Sequence, residues 1–283
     1  MKLFNELKDV TVREEVVVEK SDLEKVLDIE TEIINKYKID KTNKDYSGEE
    51  RRAFQAVCAE TQERVADIKI TPKLLQEYIE VRENTEKNVQ AKIRGMYSAA
   101  LLELAYTKNP DGNLYINGKG KTFNYLFYHA NNIKKLTLTN MNGNFLLGYS
   151  SYKKGIVEHV TILNAEGDNI LGNSGWEGNV QYITLINLRG GYTLHNAGSF
   201  RGNLQYVTLT NVEEFNTLGD AGMCDGKVKN ILREKELNQK QKKSIAEIKK
   251  IVETMQDLSL EKQKTAHEKI AQLQKEIFAG KKE

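Results

Sequence analysis

The sequence predicts an α+β protein: a short β-solenoid of about five 24-residue coils, flanked by N-terminal helices and by a C-terminal helical, coiled-coil-like segment. Three observations predict it. The stretch from about 113 to 230 repeats itself roughly every 24 residues, and self-similarity at that period sets an architecture before any residue chemistry is considered. Residues 20 to 106 carry capped, amphipathic helical patterns. From about Leu232 onward the apolar period is helical again. The implied divisions are 1–108, mainly helical with a short β segment; 109–230, the solenoid; and 231–283, amphipathic helices.

Along the chain, Val10 to Val18 reads as a strand that would cover an edge. Ser21-Asp-Leu-Glu24 is a capping box opening a stripe of Leu23, Val26, Leu27, Ile33, Ile34 and Tyr37, broken by Glu30 where an apolar residue is expected. Ser47-Gly-Glu-Glu50 opens a second helix with Phe54, Val57, Cys58 and Val65 on one side. Thr71-Pro72 sets an N-cap with proline at the first helical position. A helix or helix pair follows, from Leu74 to Leu104, until Asn109-Pro-Asp-Gly112 turns the chain.

The repeats begin at Ile133, Val157, Val180 and Leu204, and each β-rich stretch ends at an Asn: Asn140, Asn164, Asn187 and Asn211. A second apolar corner follows at Leu147, Leu171, Leu194 and Leu218. The third corner carries a large side chain, Tyr152, Trp176, Phe200 or Met223 with Cys224, which is expected to fill the core. Gly155, Gly178, Gly202 and Gly226 close the coils. No coil of this size buries its own corners, so neighbours must stack and turn the corners into continuous ladders. The recurrent Asn fits a stacked amide ladder, each side chain serving its neighbour.

The spacing Leu-x-x-Leu-x-Leu-x-Asn resembles leucine-rich repeats, and Leu171-Gly-Asn-Ser-Gly-Trp-Glu-Gly178 is similar to the bacterial surface-protein (BspA-like) subtype. The resemblance covers the repeats alone. Here the Asn falls one place early, and a three-sided β-helix is the preferred description. Either class implies a binding surface or scaffold and no particular chemistry.

After the last coil, Val228-Lys-Asn-Ile231 begins a repeat and abandons it. Ile245, Ile248, Val252 and Met255, then Ala266, Ile270, Leu273 and Ile277, form a helical stripe across two helices or one bent helix. That stripe is expected either to pack on the N-terminal helices or the solenoid, or to pair as a coiled coil with another copy.

With 39% hydrophobic and 29% charged residues, a net charge of +2 and only two prolines, the composition is that of an ordinary globular chain. Neither a secretory signal nor a run of about 18 apolar residues is present, so the expected place is the cytoplasm, with no membrane. Cys58 and Cys224 show no framework spacing, and His129, His159, His195 and His267 are scattered, expected as surface or turn residues rather than ligands. Gly120-Lys121-Thr122 resembles a phosphate loop but lacks its first Gly and a following helix. Glu166, Glu213 and Glu214 share a region with Arg189 between them, which reads as charge compensation and not as a paired acid and base. No catalytic residue, cofactor or metal is expected.

One outward face stands out. If Ile183 and Leu185 point inward, the pleat aligns Lys135, His159, Tyr182 and Tyr206 in one column and Thr137, Thr161, Thr184 and Thr208 in the next. Something is expected to cover so apolar and aromatic a face, either the chain's own terminal helix or a protein partner anchored on Tyr182 and Tyr206. A second contact is the basic run Lys240, Lys242, Lys243, Lys249 and Lys250, where a solvated helix face is favoured over nucleic acid for want of nearby stacking aromatics. The function these features predict is a non-enzymatic binding or scaffold protein with a protein partner. The alternatives are a structural subunit, possible in a viral assembly, homo-oligomeric through its C-terminal helices, and a carbohydrate-acting β-helix enzyme.

Overall fold

The computed structural model describes residues 20–37, 46–86, 88–108, 112–152, 154–213 and 217–279. The predicted Val10–Val18 strand, the Asn109–Asp111 turn and Glu214 lie outside them. Four helices come first, α1 (Asp22–Lys36), α2 (Tyr46–Arg64), α3 (Pro72–Val81) and α4 (Val89–Lys108). Six strands follow, β1 (Asn113–Asn117), β2 (Asn132–Asn142), β3 (Ile156–Glu166), β4 (Asn179–Arg189), β5 (Asn203–Val212) and β6 (Lys227–Arg233), and then α5 (Gln239–Thr254) and α6 (Leu260–Phe278).

The helix starts follow local chemistry. Ser21 Oγ accepts from the Glu24 amide at 3.3 Å while the Glu24 carboxylate accepts from the Ser21 amide at 2.8 Å, and Thr71 Oγ1 accepts from the Leu74 amide at 3.1 Å ahead of Pro72. α2 begins at Tyr46, one residue before the predicted cap at Ser47. Glu30, out of place in the apolar stripe, is fully buried. Its oxygens meet Arg82 Nε at 2.7 Å and Arg94 Nε at 3.0 Å, and Tyr78 Oη donates to it at 2.8 Å. The polar residue thus ties α1 to the chain around α3 and to α4.

All six strands are parallel and stack in sequence order, which is a β-solenoid of about five turns. The register is the repeat itself: Ile133 lies beside Val157, Val157 beside Val180, and Val180 beside Leu204. Between strands the chain returns through consecutive turns. Leu147, Leu171, Leu194 and Leu218 all take positive φ, 55° to 64°, a conformation that costs a non-glycine residue about 1–2 kcal/mol. The inter-coil ladder offsets that cost, because alternate amides bond in opposite directions: Leu147 N–H donates to Leu126 O and Tyr149 N–H to Gly172 O, each at 2.8 Å. The closing glycines are sterically required; a Cβ on Gly202 would stand 1.6 Å from Gly175 O.

The asparagine ladder is present. Asn164 Nδ2 donates to Asn140 Oδ1 at 3.2 Å, Asn187 to Asn164 at 2.8 Å and Asn211 to Asn187 at 2.9 Å. The third corner corrects the expectation drawn from sequence. Its interior is filled by Ser150, Ser174 and Ala197, all buried, with Ser150 and Ser174 hydroxyls 2.8 Å apart. This tight corner has no room for a ring, so the large residues that follow lie outside it: Phe200 is 44% and Met223 52% exposed, Cys224 is exposed as well, and Tyr152 and Trp176 are half-buried.

One apolar core runs from the N-terminal helices through the solenoid interior, with Tyr78, Tyr97, Phe123, Phe127 and Tyr128 at the junction. A second lies between the sheet and the C-terminal helices, where Leu163 and Ile186 meet Ile248, Val252, Ile270, Leu273 and Ile277. The C-terminal stripe is therefore spent within the chain, on two helices packed against the solenoid.

Candidate functional site

The pairing register aligns His159, Tyr182 and Tyr206 in one column and Thr161, Thr184 and Thr208 in the next. Imidazole and phenol rings stack along the first, His159 on Tyr182 at 4.8 Å and 7°, Tyr182 on Tyr206 at 4.8 Å and 13°. Of the two expected covers, the chain's own helix occupies the face. Gln274 of α6 is inserted into it, its Oε1 accepting from His159 Nδ1 at 2.7 Å and its Nε2 reaching Thr184 Oγ1 at 3.0 Å and Thr161 Oγ1 at 3.2 Å. Phe278 packs on Tyr206 at 5.0 Å. All three threonines and His159 are buried, while Tyr182 and Tyr206 are half-buried at the margin.

Three of the four histidines are buried: His159 in a strand and His267 in a helix, which corrects their expected placement at the surface or in a turn, and His129 within a turn. His267 Nε2–H donates to the Leu114 carbonyl of β1 at 2.9 Å, pinning α6 at the other end of the sheet. Burial pushes both His159 and His267 down to about 4, so these rings are neutral clamps at neutral pH. His129 is stacked between Phe54 and Tyr149, with its pKa lowered by burial. It lies in a closed cluster with Glu50, whose carboxylate is ion-paired with Lys92 and accepts from Tyr128 Oη at 3.0 Å. The Cys58 thiol is held well above its usual range by burial, which removes it as a nucleophile. Among the described residues no group of three or more His, Cys, Asp or Glu could hold a metal ion. Lys121 of the phosphate-loop look-alike donates to the Glu80 carbonyl at the end of α3.

Two exposed features remain, and sequence reasoning missed the first. Tyr152 and Trp176, both half-buried, and the exposed Phe200 form an outer ridge, stacked at 6.2 Å and 20° and then at 4.2 Å and 17°, continued by the exposed Met223. Its signal was the Ser-Ser-Ala column two or three residues earlier, which marks the corner as too small for rings. Because the rings lie face to face, they offer edges outward and few free faces.

The second feature is the C-terminal end of the solenoid. β6 is the edge strand, and among the described residues no strand pairs with its outer side. Lys227, Lys229, Lys235, Lys240, Lys242 and Lys243 are exposed there, with Arg233 half-buried. The structure brings Lys242 beside β6, in an open groove of ≈ 400 Å³ with Leu209, Val212, Arg233 and Lys235. Lys250 is also exposed, farther along α5, and Lys249 is paired with Glu253 at 3.8 Å. Among the described residues no helix is long and apolar enough to cross a membrane. Comparison with known proteins found no matching family model, no matching curated protein and no matching solved structure.

Proposed function

We propose that this chain is a non-enzymatic binding or scaffold protein that holds a protein partner against the outer ridge of its solenoid. The observation that carries this reading is the pair Phe200 and Met223 exposed at the surface, in line with the half-buried, stacked rings of Trp176 and Tyr152. Exposed apolar rows of this kind mark interaction sites, and rigid aromatic anchors contribute a large share of interface energy. Sugar recognition is disfavoured, because it needs open ring faces and these faces are taken up by one another. Burial of His129, His159 and His267 and the raised Cys58 thiol withdraw these four groups from acid–base or nucleophilic work, which favours binding over catalysis.

Trp176 is the chain's single tryptophan, so its emission reports directly on the ridge. A partner isolated on the immobilised protein should shift that emission to the blue as it excludes water. The double variant Phe200→Glu/Met223→Glu should lose the partner with an unchanged melting temperature. A partner still held with unchanged affinity by the folded variant would refute the ridge as the binding site.

A further inference from the structure

We infer that the open edge of β6 is a second, independent docking site, which takes an acidic, extended segment of a partner protein as an added parallel or antiparallel strand. An edge strand presents unpaired backbone donors and acceptors, which are a template for one more strand. The adjoining apolar ladders are unfinished: Val228 and Ile231, the last rungs behind Leu204 and Val207, are only half-buried. An added strand would supply the missing layer to both.

Charge selects the occupant. From 227 to 243 the chain carries seven basic side chains against two acidic ones. Among the described residues none of the seven is ion-paired. A second copy is a poor occupant, since β6 laid against β6 would bring Lys227, Lys229 and Arg233 against one another, and opposed like charges destabilise a strand pair. Lysines on an edge discourage self-pairing; here the cations continue past the strand into the groove of Leu209, Arg233, Lys235 and Lys242, where Glu234 is the one acidic lining residue, and so match carboxylates at several points. Nucleic acid would satisfy the charge but not the half-buried apolar rungs.

The test uses the full chain and a fluorescent synthetic peptide of alternating Glu and Val about as long as β6. A Glu-only peptide of equal length and a single-stranded oligouridylate serve as competitors. The alternating peptide should bind and should slow hydrogen exchange of the 227–233 amides about tenfold, since a new ladder protects them. Lys227→Glu/Lys229→Glu, both at exposed positions, should weaken binding by at least about tenfold, the scale of two lost ion pairs near a surface. Lys249→Gln/Lys250→Gln should leave it within about twofold and controls for general loss of charge. Equal binding of the Glu-only peptide, or tighter binding of the oligouridylate without β6 protection, would overturn the inference. So would tighter peptide binding by the variant Glu14→Lys/Glu15→Lys, which would assign the edge to the chain's own first residues. The peptide carries no aromatic side chain, so its failure would leave the ridge reading untouched.

Discussion

The two ends of the solenoid solve the same problem in opposite ways. At the first end, helices meet the backbone of β1 with designated partners: the Gln76 side chain donates to Asn117 O and accepts from Asn117 N–H, both at 2.9 Å, and His267 takes Leu114 O. The link between α3 and α4 adds a bridge of its own, Asn84 beside Phe123, with Asn84 N–H bonded to Thr122 O at 2.8 Å. At the last end β6 has no such cover among the described residues, only charge and half-buried rungs. A solenoid needs caps to stay soluble and single. The lesson of the difference is that one end is sealed by hydrogen bonds and packing, whereas the other, among the described residues, carries lysines and half-buried rungs in place of a cap.

The contrast breaks most readily at the sealed end. Arg94→Leu removes one of the two guanidinium groups from the fully buried Glu30, and stripping a partner from a buried charge costs about 3–5 kcal/mol. A drop of that size in urea-unfolding free energy is the expected outcome; a change near zero would mean that Arg82 and Tyr78 hold the carboxylate without Arg94. Gly202→Ala attacks the stacking itself, since its Cβ would collide with Gly175 O. It should cost about 1–3 kcal/mol, as overpacked sites do.

The helical strap comes next. Gln274→Leu leaves His159, Thr161 and Thr184 without their shared partner, for about 1–3 kcal/mol, and should raise hydrogen exchange in α6 before it does so in β3. Acid should do the same. Folding lowers His159 and His267 from 6.5 to about 4, so above pH 6.5 both states hold neutral rings and stability is full. As pH falls from 6.5 towards 4 only the unfolded chain takes up protons, and stability declines by at most about 1.4 kcal/mol per pH unit for each histidine. Below 4 these two groups add no further loss. A His159→Gln/His267→Gln variant should flatten the midpoint of urea unfolding across that window; an unaltered slope would show that other groups carry it.

Much of this was legible from residues. The repeat starts predict the pairing register, Asn140 to Asn211 predict the amide ladder, and the 3/4 stripe from Ile245 to Ile277 predicts helices that must face something. Three points were not. Glu30 reads as a flaw in α1 because its partners Arg82 and Arg94 lie in other elements, beyond any local pattern. Phe200 and Met223 read as core because the third corner repeats a large residue, and repetition says that a position matters without saying on which side of the backbone it lies. The terminal helix was one of two covers the sequence allowed for the flat face, and the choice between them depends on one long-range match, Gln274 against His159 and two threonines, which no periodicity announces.

The smallest expected effect is the most diagnostic of the open end. Met223→Ser removes an apolar side chain that is already 52% exposed, and exposed substitutions usually change stability by less than about 0.5 kcal/mol. Leu171→Ser, two coils earlier and fully buried, should cost several times more, because it leaves both a cavity and a hydroxyl in an apolar ladder. Urea midpoints of the two variants compare the last coil with an inner coil directly. Equal losses would require that something in the chain covers Met223, and the last coil would then be sealed like the first.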